Sequence, residues 1–226
     1  AFIQDFSGQL GRWDVYHYGL TRNAWSHIAL VYDSSSDNND PILYINGEIV
    51  ALKTNSSPSG SFANNTGTLR IGDYNGGSNY SGYMDEIRIS NSARYTANFT
   101  APTTAFEDDK DTVLLLHMDG GGGIDPTTNL PTLPGQGTYF WDASTNAIFY
   151  GADGVPTNKS LINGDGSSYL TVPSSSDWAF GTSSDFTIEC WIYFTDIDTS
   201  RDFVNVGNSA DLWRFHREGA NTISWN

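Results

Sequence analysis

Hydrolysis of a glycosidic bond needs two carboxyl groups converging on one bond. The chain of 226 residues holds 26 acidic residues, but only Glu48, Glu86, Glu107, Glu189 and Glu218 are glutamates, and no two of these are close in sequence. Asp85 and Glu86 are adjacent in YMDEIRIS (83–90). Neighbours on a strand are expected to point to opposite faces and so cannot act as a pair. The four histidines, His17, His27, His117 and His216, show no zinc-type spacing with each other or with cysteine. There is no Gly-x-Ser-x-Gly elbow and no phosphate loop; the glycines at 120–123 run toward Pro126, not into a helix. Sugar binding needs an aromatic platform with polar neighbours. Trp13, Tyr16 and Tyr18, in the polar context RWDVYHYG, and Trp141, two residues after Tyr139, are candidates for such a platform.

The net charge of −15 argues against nucleic acid, which demands a basic face. Of the acidic residues 21 are Asp, a turn former and a hard oxygen donor suited to calcium. No apolar run reaches 18 residues, so no membrane insertion is expected. The single cysteine, Cys190, lies in an apolar run and reads as a buried small hydrophobe.

Such residues would be positioned by many short strands. WSHIALVY (25–32) and PILYINGEIVAL (41–52) are rich in β-branched and aromatic residues, and Asn46-Gly47 is a strong type I′ hairpin signal. TLRIGD (68–73), YMDEIRIS (83–90), TVLLLHMDG (112–120), FWDAS (140–144), AIFYG (147–151), SSYLTVP (167–173), DFTIECWIYF (185–194) and LWRFH (212–216) follow as strands. Residues 91–106 read as irregular, and only a short turn near Ser174–Phe180 departs from the β pattern. The expected fold is all-β: two antiparallel sheets face to face, with Ile28, Leu30, Ile87, Ile89, Leu114, Leu116, Ile188 and Trp191 inward.

Trp25–Asp33, then Leu43-Tyr44-Ile45-Asn46-Gly47, then Gly82–Ser90 resemble the second half of a laminin-G-like, concanavalin A-like jelly roll. Ala93–Thr103 is similar to the closing segment of such domains in phage and bacterial surface proteins. Val113–Asp119, Gly164–Pro173 and Asp185–Ile192 resemble the beginning of the same domain. The resemblance implies an antiparallel two-sheet sandwich, and a structural calcium held by Asp85 and Asp119 with loop carbonyls completing the shell. It says nothing by itself of chemistry. Laminarinases of this fold carry Glu-x-Asp-x-x-Glu on one strand, a spacing missing here, so an enzyme is not expected.

The order is permuted: 1–106 resembles a C-terminal half and 107–226 an N-terminal half. Each has too few strands to cover its own apolar face, so each needs a complement. Pairing between chains, or between repeats of an array, is the favoured expectation over folding back within one chain, because the ends read as mid-strand. The expected function is a structural or adhesion module of a virion or cell-surface fibre, spike or decoration protein. It would lie outside the cell or on the virion surface, with further copies or neighbouring domains as partners. The alternative is a carbohydrate-binding lectin module that recognises surface glycans.

Overall fold

The computed structural model describes residues 2–4, 11–16, 20–36, 39–57, 59, 67–72, 80–117, 140–141, 148–149, 161–163, 170–172, 174–178, 180, 185–195, 201–208, 211–217 and 222–224. In chain order the strands are β1 (Phe2–Gln4), β2 (Gly11–Tyr16), β3 (Trp25–Tyr32), β4 (Ile42–Ile45), β5 (Glu48–Val50), β6 (Leu52–Ser56), β7 (Leu69–Ile71), β8 (Gly82–Ser90) and β9 (Thr112–Leu116). There follow β10 (Phe140–Trp141), β11 (Ile148–Phe149), β12 (Leu161–Asn163), β13 (Leu170–Val172), β14 (Phe186–Phe194), β15 (Arg201–Asn208), β16 (Asp211–Arg217) and β17 (Thr222–Ser224). The one helical element among the described residues is a 3-10 turn at Ser176–Trp178, inside the stretch where a turn was expected.

The strands form two antiparallel sheets. One runs β10-β13-β7-β15-β16-β1-β2-β17, with β6 also on β2; the other runs β11-β12-β8-β14-β3-β4-β5, with β9 also on β8. The two halves of the chain interleave in both. β14, from the second half, sits between β8 and β3, from the first. β7, from the first half, sits between β13 and β15, from the second. This corrects the expectation of exchange between chains: a single chain supplies both halves of one sandwich. The physical reason is that β3 and β8 each leave one ladder edge open, and β14 satisfies both at once.

The interior follows strand parity. Ile28, Leu30 and Tyr32 of β3, Leu43 and Ile45 of β4, Ile87 and Ile89 of β8, Leu114 and Leu116 of β9, and Ile188, Cys190 and Ile192 of β14 face the other sheet. Val204 and Val206 of β15, with Trp213 and Phe215 of β16, meet them. Aromatic rings bridge the layers: Phe180 stacks on Phe186 at 4.4 Å and lies 5.1 Å from Trp213, and Phe186 stacks on Tyr32 at 5.6 Å. Trp191 is the exception to the expected inward set. It has the opposite parity from Ile188 and Ile192, so it leaves the interior and packs with Phe106 and Leu115 on the outer face.

That outer face is covered. Residues 91–106, irregular as expected, form a strap that carries Tyr95 and Phe99 onto Ala29, Val31 and Tyr44, and Phe106 onto Leu115 and Trp191. The strap docks on the Asn46-Gly47 hairpin turn, where Phe99 N–H donates to the Gly47 carbonyl at 2.9 Å. Gly47 has φ +81°, and a Cβ there would lie 1.9 Å from the Phe99 carbonyl oxygen. The turn therefore needs glycine twice, for its backbone and for the strap's approach.

Candidate functional site

Beneath the strap lies a buried charge cluster. Strict alternation along β14 turns Thr187, Glu189, Trp191 and Tyr193 outward, and the register sets Glu189 against Ala29 on β3 and Arg88 on β8. Arg88 donates from Nε and Nη2 to Glu189 Oε1 at 2.8 and 2.6 Å, and from Nη1 to the Glu107 carbonyl at 3.2 Å. The Tyr95 hydroxyl donates to Glu189 Oε2 at 2.8 Å. His27 Nε2 lies 3.2 Å from that same oxygen, at ion-pair distance but outside hydrogen-bond alignment. Burial alone would push the Glu189 carboxyl up. His27 and Arg88 outweigh it and hold the group below its ordinary value. Burial, with Glu189 close by, pushes the Tyr95 phenol up. Every one of these contacts joins the strap to the sheet or one strand to the next.

Next to it, β8 bulges. Glu189 pairs with Arg88 and Trp191 with Asp85, so Cys190 alone spans two residues of β8, and Glu86 takes φ +49°. Asp85 Oδ1 accepts the Glu86 N–H at 3.0 Å. Glu86 Oε2 accepts the Phe106 N–H at 2.7 Å, and both Glu86 oxygens lie 3.0 Å from His117 Nδ1. Asp85 is the register partner of outward Trp191, and Glu86 reaches the strap, so the bulge brings both carboxylates to one face. This corrects the expectation of opposite faces: the extra residue breaks the period of two. The pair is nonetheless engaged with a backbone amide, the strap and His117.

The last cross-strand row adjoins the Phe106–Leu115–Trp191 cluster, against which Trp25 packs. There Tyr193 pairs with Trp25 of β3 on one side and Tyr83 of β8 on the other. The three rings form a compact, half-exposed cluster. Centroids are 5.6 Å apart for Trp25 and Tyr193, 5.3 Å for Tyr83 and Tyr193, and 6.5 Å for Trp25 and Tyr83, with interplanar angles of 62°, 79° and 50°. Its backbone is fixed from inside. The buried Tyr80 hydroxyl reaches the carbonyls of Tyr83 and Tyr193 at 3.2 and 3.0 Å. Gly82, at φ +145°, lets the Tyr193 carbonyl approach to where a Cβ would be 1.9 Å away. At the rim, exposed Arg22 donates from Nε to the Thr195 carbonyl at 2.8 Å, and the Ser81 and Thr195 hydroxyls lie 3.0 Å apart. Sequence reasoning missed this cluster because its members come from three strands whose pairing no local pattern reveals. The available signal was that each is the last outward aromatic at one end of its strand.

The residues singled out from sequence do not assemble into one site. Trp13 is fully buried, its indole N–H donating to Asp40 and its ring 6.4 Å from Tyr32, so it offers no solvent-facing platform. Tyr16 ends β2 and Trp141 ends β10, at separate places in the first sheet's order. Tyr18 and Asp119 lie outside the described residues. Asp85 has one oxygen on the Glu86 amide, and no three His, Cys, Asp or Glu side chains converge among the described residues.

On the outer face of the other sheet, Thr171, Arg70, Asn205 and Arg214 stand abreast on β13, β7, β15 and β16. Arg214 Nη2 donates to Asp202 Oδ2 at 2.7 Å, and its Nε to Oδ1. Burial, with Arg214 and Arg12 close by, holds His216 well below its ordinary value.

Two antiparallel sheets packed around an aromatic-rich interior, with the covered and half-exposed outer face just described, make this a concanavalin A-like sandwich, the architecture of lectin- and adhesion-type modules. The Laminin_G_3 family model, of the concanavalin A-like lectin/glucanases superfamily, matches residues 7–98, and that part of the chain is similar to this family. No curated protein and no solved structure matches the chain.

Proposed function

We propose that the protein is a non-catalytic adhesion module of a virion or cell-surface fibre, spike or decoration protein, working outside the cell beside other copies or neighbouring domains. The observation that carries this reading is the use made of the buried carboxylates. Glu189 is held by Arg88 and Tyr95, Glu86 by the strap and His117, and Asp202 by Arg214. Each serves to fasten a strand or the strap, and a glycosidase would need two left available to one bond. A carbohydrate-binding lectin module is the second reading, favoured by the half-exposed rings of Trp25, Tyr83 and Tyr193.

Printed arrays of glycans and intact bacterial or eukaryotic cells, probed with the labelled protein, test the first reading. Binding to a surface without release of reducing sugar is expected. Release of reducing sugar from a bound polysaccharide at an enzymatic rate would overturn it.

A further inference from the structure

We propose that Trp25, Tyr193 and Tyr83 form a saccharide platform on which the C–H face of a pyranose ring stacks while Arg22 donates to its hydroxyl or carboxylate oxygens. The proposal rests on the carbohydrate-binding reading above and gives it a place and a ligand chemistry.

Aromatic rings that serve only as core are expected to be covered. On this sheet face Phe106 is buried against Leu115 and Trp191, while Tyr95 and Phe99 lie half-buried over Ala29, Val31 and Tyr44. The next row, on the same face, keeps three aromatics half-exposed, although the chain carries abundant small polar residues that such a position would accept. Their mutual contacts are edge-on, with the rings 50° to 79° apart, so the cluster presents faces of different tilt instead of one flat wall. A pyranose has one apolar face of axial C–H groups and a polar rim. It is matched by a ring face with donors beside it.

The donors are at the right end of the cluster. Tyr193 is two residues before Thr195, and the Thr195 carbonyl holds Arg22 Nε. That bond pins the guanidinium, while the terminal nitrogens of Arg22 make no hydrogen bond among the described residues. The Asn23 N–H donates to the Phe194 carbonyl at 2.9 Å, which fixes the turn carrying Arg22 against the strand carrying Tyr193. A guanidinium fork tethered at Thr195, two residues along β14 from Tyr193, suits two adjacent hydroxyls or one carboxylate. The platform is pre-organised from below by Tyr80 and Gly82, so binding would order little backbone.

The test is titration of the full chain with three probes: laminarihexaose, chitohexaose and trigalacturonic acid, followed by saturation-transfer NMR and calorimetry. At least one saccharide is expected to bind. Trp25→Ala and Tyr193→Ala should each weaken it about tenfold, the loss of one ring face, and Trp25→Phe should recover most of the affinity. Arg22→Ala, at an exposed position, should weaken the uronic probe more than the neutral ones. Saccharide binding that survives both Trp25→Ala and Arg22→Ala would overturn this platform and leave the lectin reading standing. Absence of binding to every saccharide at millimolar concentration would remove both. Binding of choline in place of sugars, through a cation on the same rings, would also overturn the saccharide assignment.

Discussion

Glu189 and Arg88, register partners on β14 and β8, are joined by two hydrogen bonds onto a single carboxylate oxygen, under a strap that neither strand contains. The link crosses from the second half of the chain to the first. Removing Arg88 leaves Glu189 buried with only the Tyr95 hydroxyl and His27 beside it, and breaking a buried ion pair costs about 3–5 kcal/mol. Arg88→Leu is therefore expected to lower unfolding free energy by that amount in urea titration. A change under about 1 kcal/mol would show that the pair is solvated, contrary to its burial.

Acid should weaken the protein in two windows. Glu189 is depressed in the folded state, so its contribution is complete above its ordinary value of 4.5 and is lost as pH falls below that value toward the folded one. His216 is also depressed, but as a base: the unfolded chain takes up the proton first, so stability falls as pH drops below 6.5. Unfolding measured from pH 8 to 3 should show both slopes. Glu189→Gln should flatten the lower one and His216→Phe the upper one. An unchanged profile in either variant would remove that residue from the account.

Gly47→Ala should cost more than about 1–3 kcal/mol, the range for backbone strain alone, because its Cβ also collides with the Phe99 carbonyl. Limited proteolysis should then cut within 91–106 faster than in the wild type. Wild-type proteolysis kinetics in Gly47→Ala would mean that the strap does not dock on the turn.

Asp85 caps the bulge through the Glu86 amide. Asp85→Ala should therefore lower the melting temperature. A calcium-dependent rise in melting temperature that Asp85→Asn abolishes would instead place an ion with Asp85 and Asp119.

The layers of this sandwich could be read from particular residues. The alternation of Ile28 and Leu30, of Ile87 and Ile89, and the Asn46-Gly47 turn each carry their structure locally. Trp191 was misplaced because size and hydrophobicity outweighed its parity against Ile188. The facing of Asp85 and Glu86 could not be read, since a bulge opposite Cys190 depends on which strand lies beside β8. The strap has no period, and its partners lie tens of residues away. The Trp25–Tyr193–Tyr83 cluster was hidden for the same reason: Tyr193 is more than a hundred residues from both neighbours, and only the insertion of β14 between β3 and β8 joins them.

That insertion is the central claim, and a cross-strand disulfide tests it most directly. Val31 of β3 and Thr187 of β14 are register partners from the two halves. The variant Val31→Cys/Thr187→Cys, made in a Cys190→Ala background and oxidised at low concentration, should run without reductant as one covalent species of the chain's own 24.7 kDa. It should carry no free thiol and shift on reduction only in compactness. A ladder of covalent dimers and higher species would show that β14 of one chain completes the sheet of another, and would contradict the account.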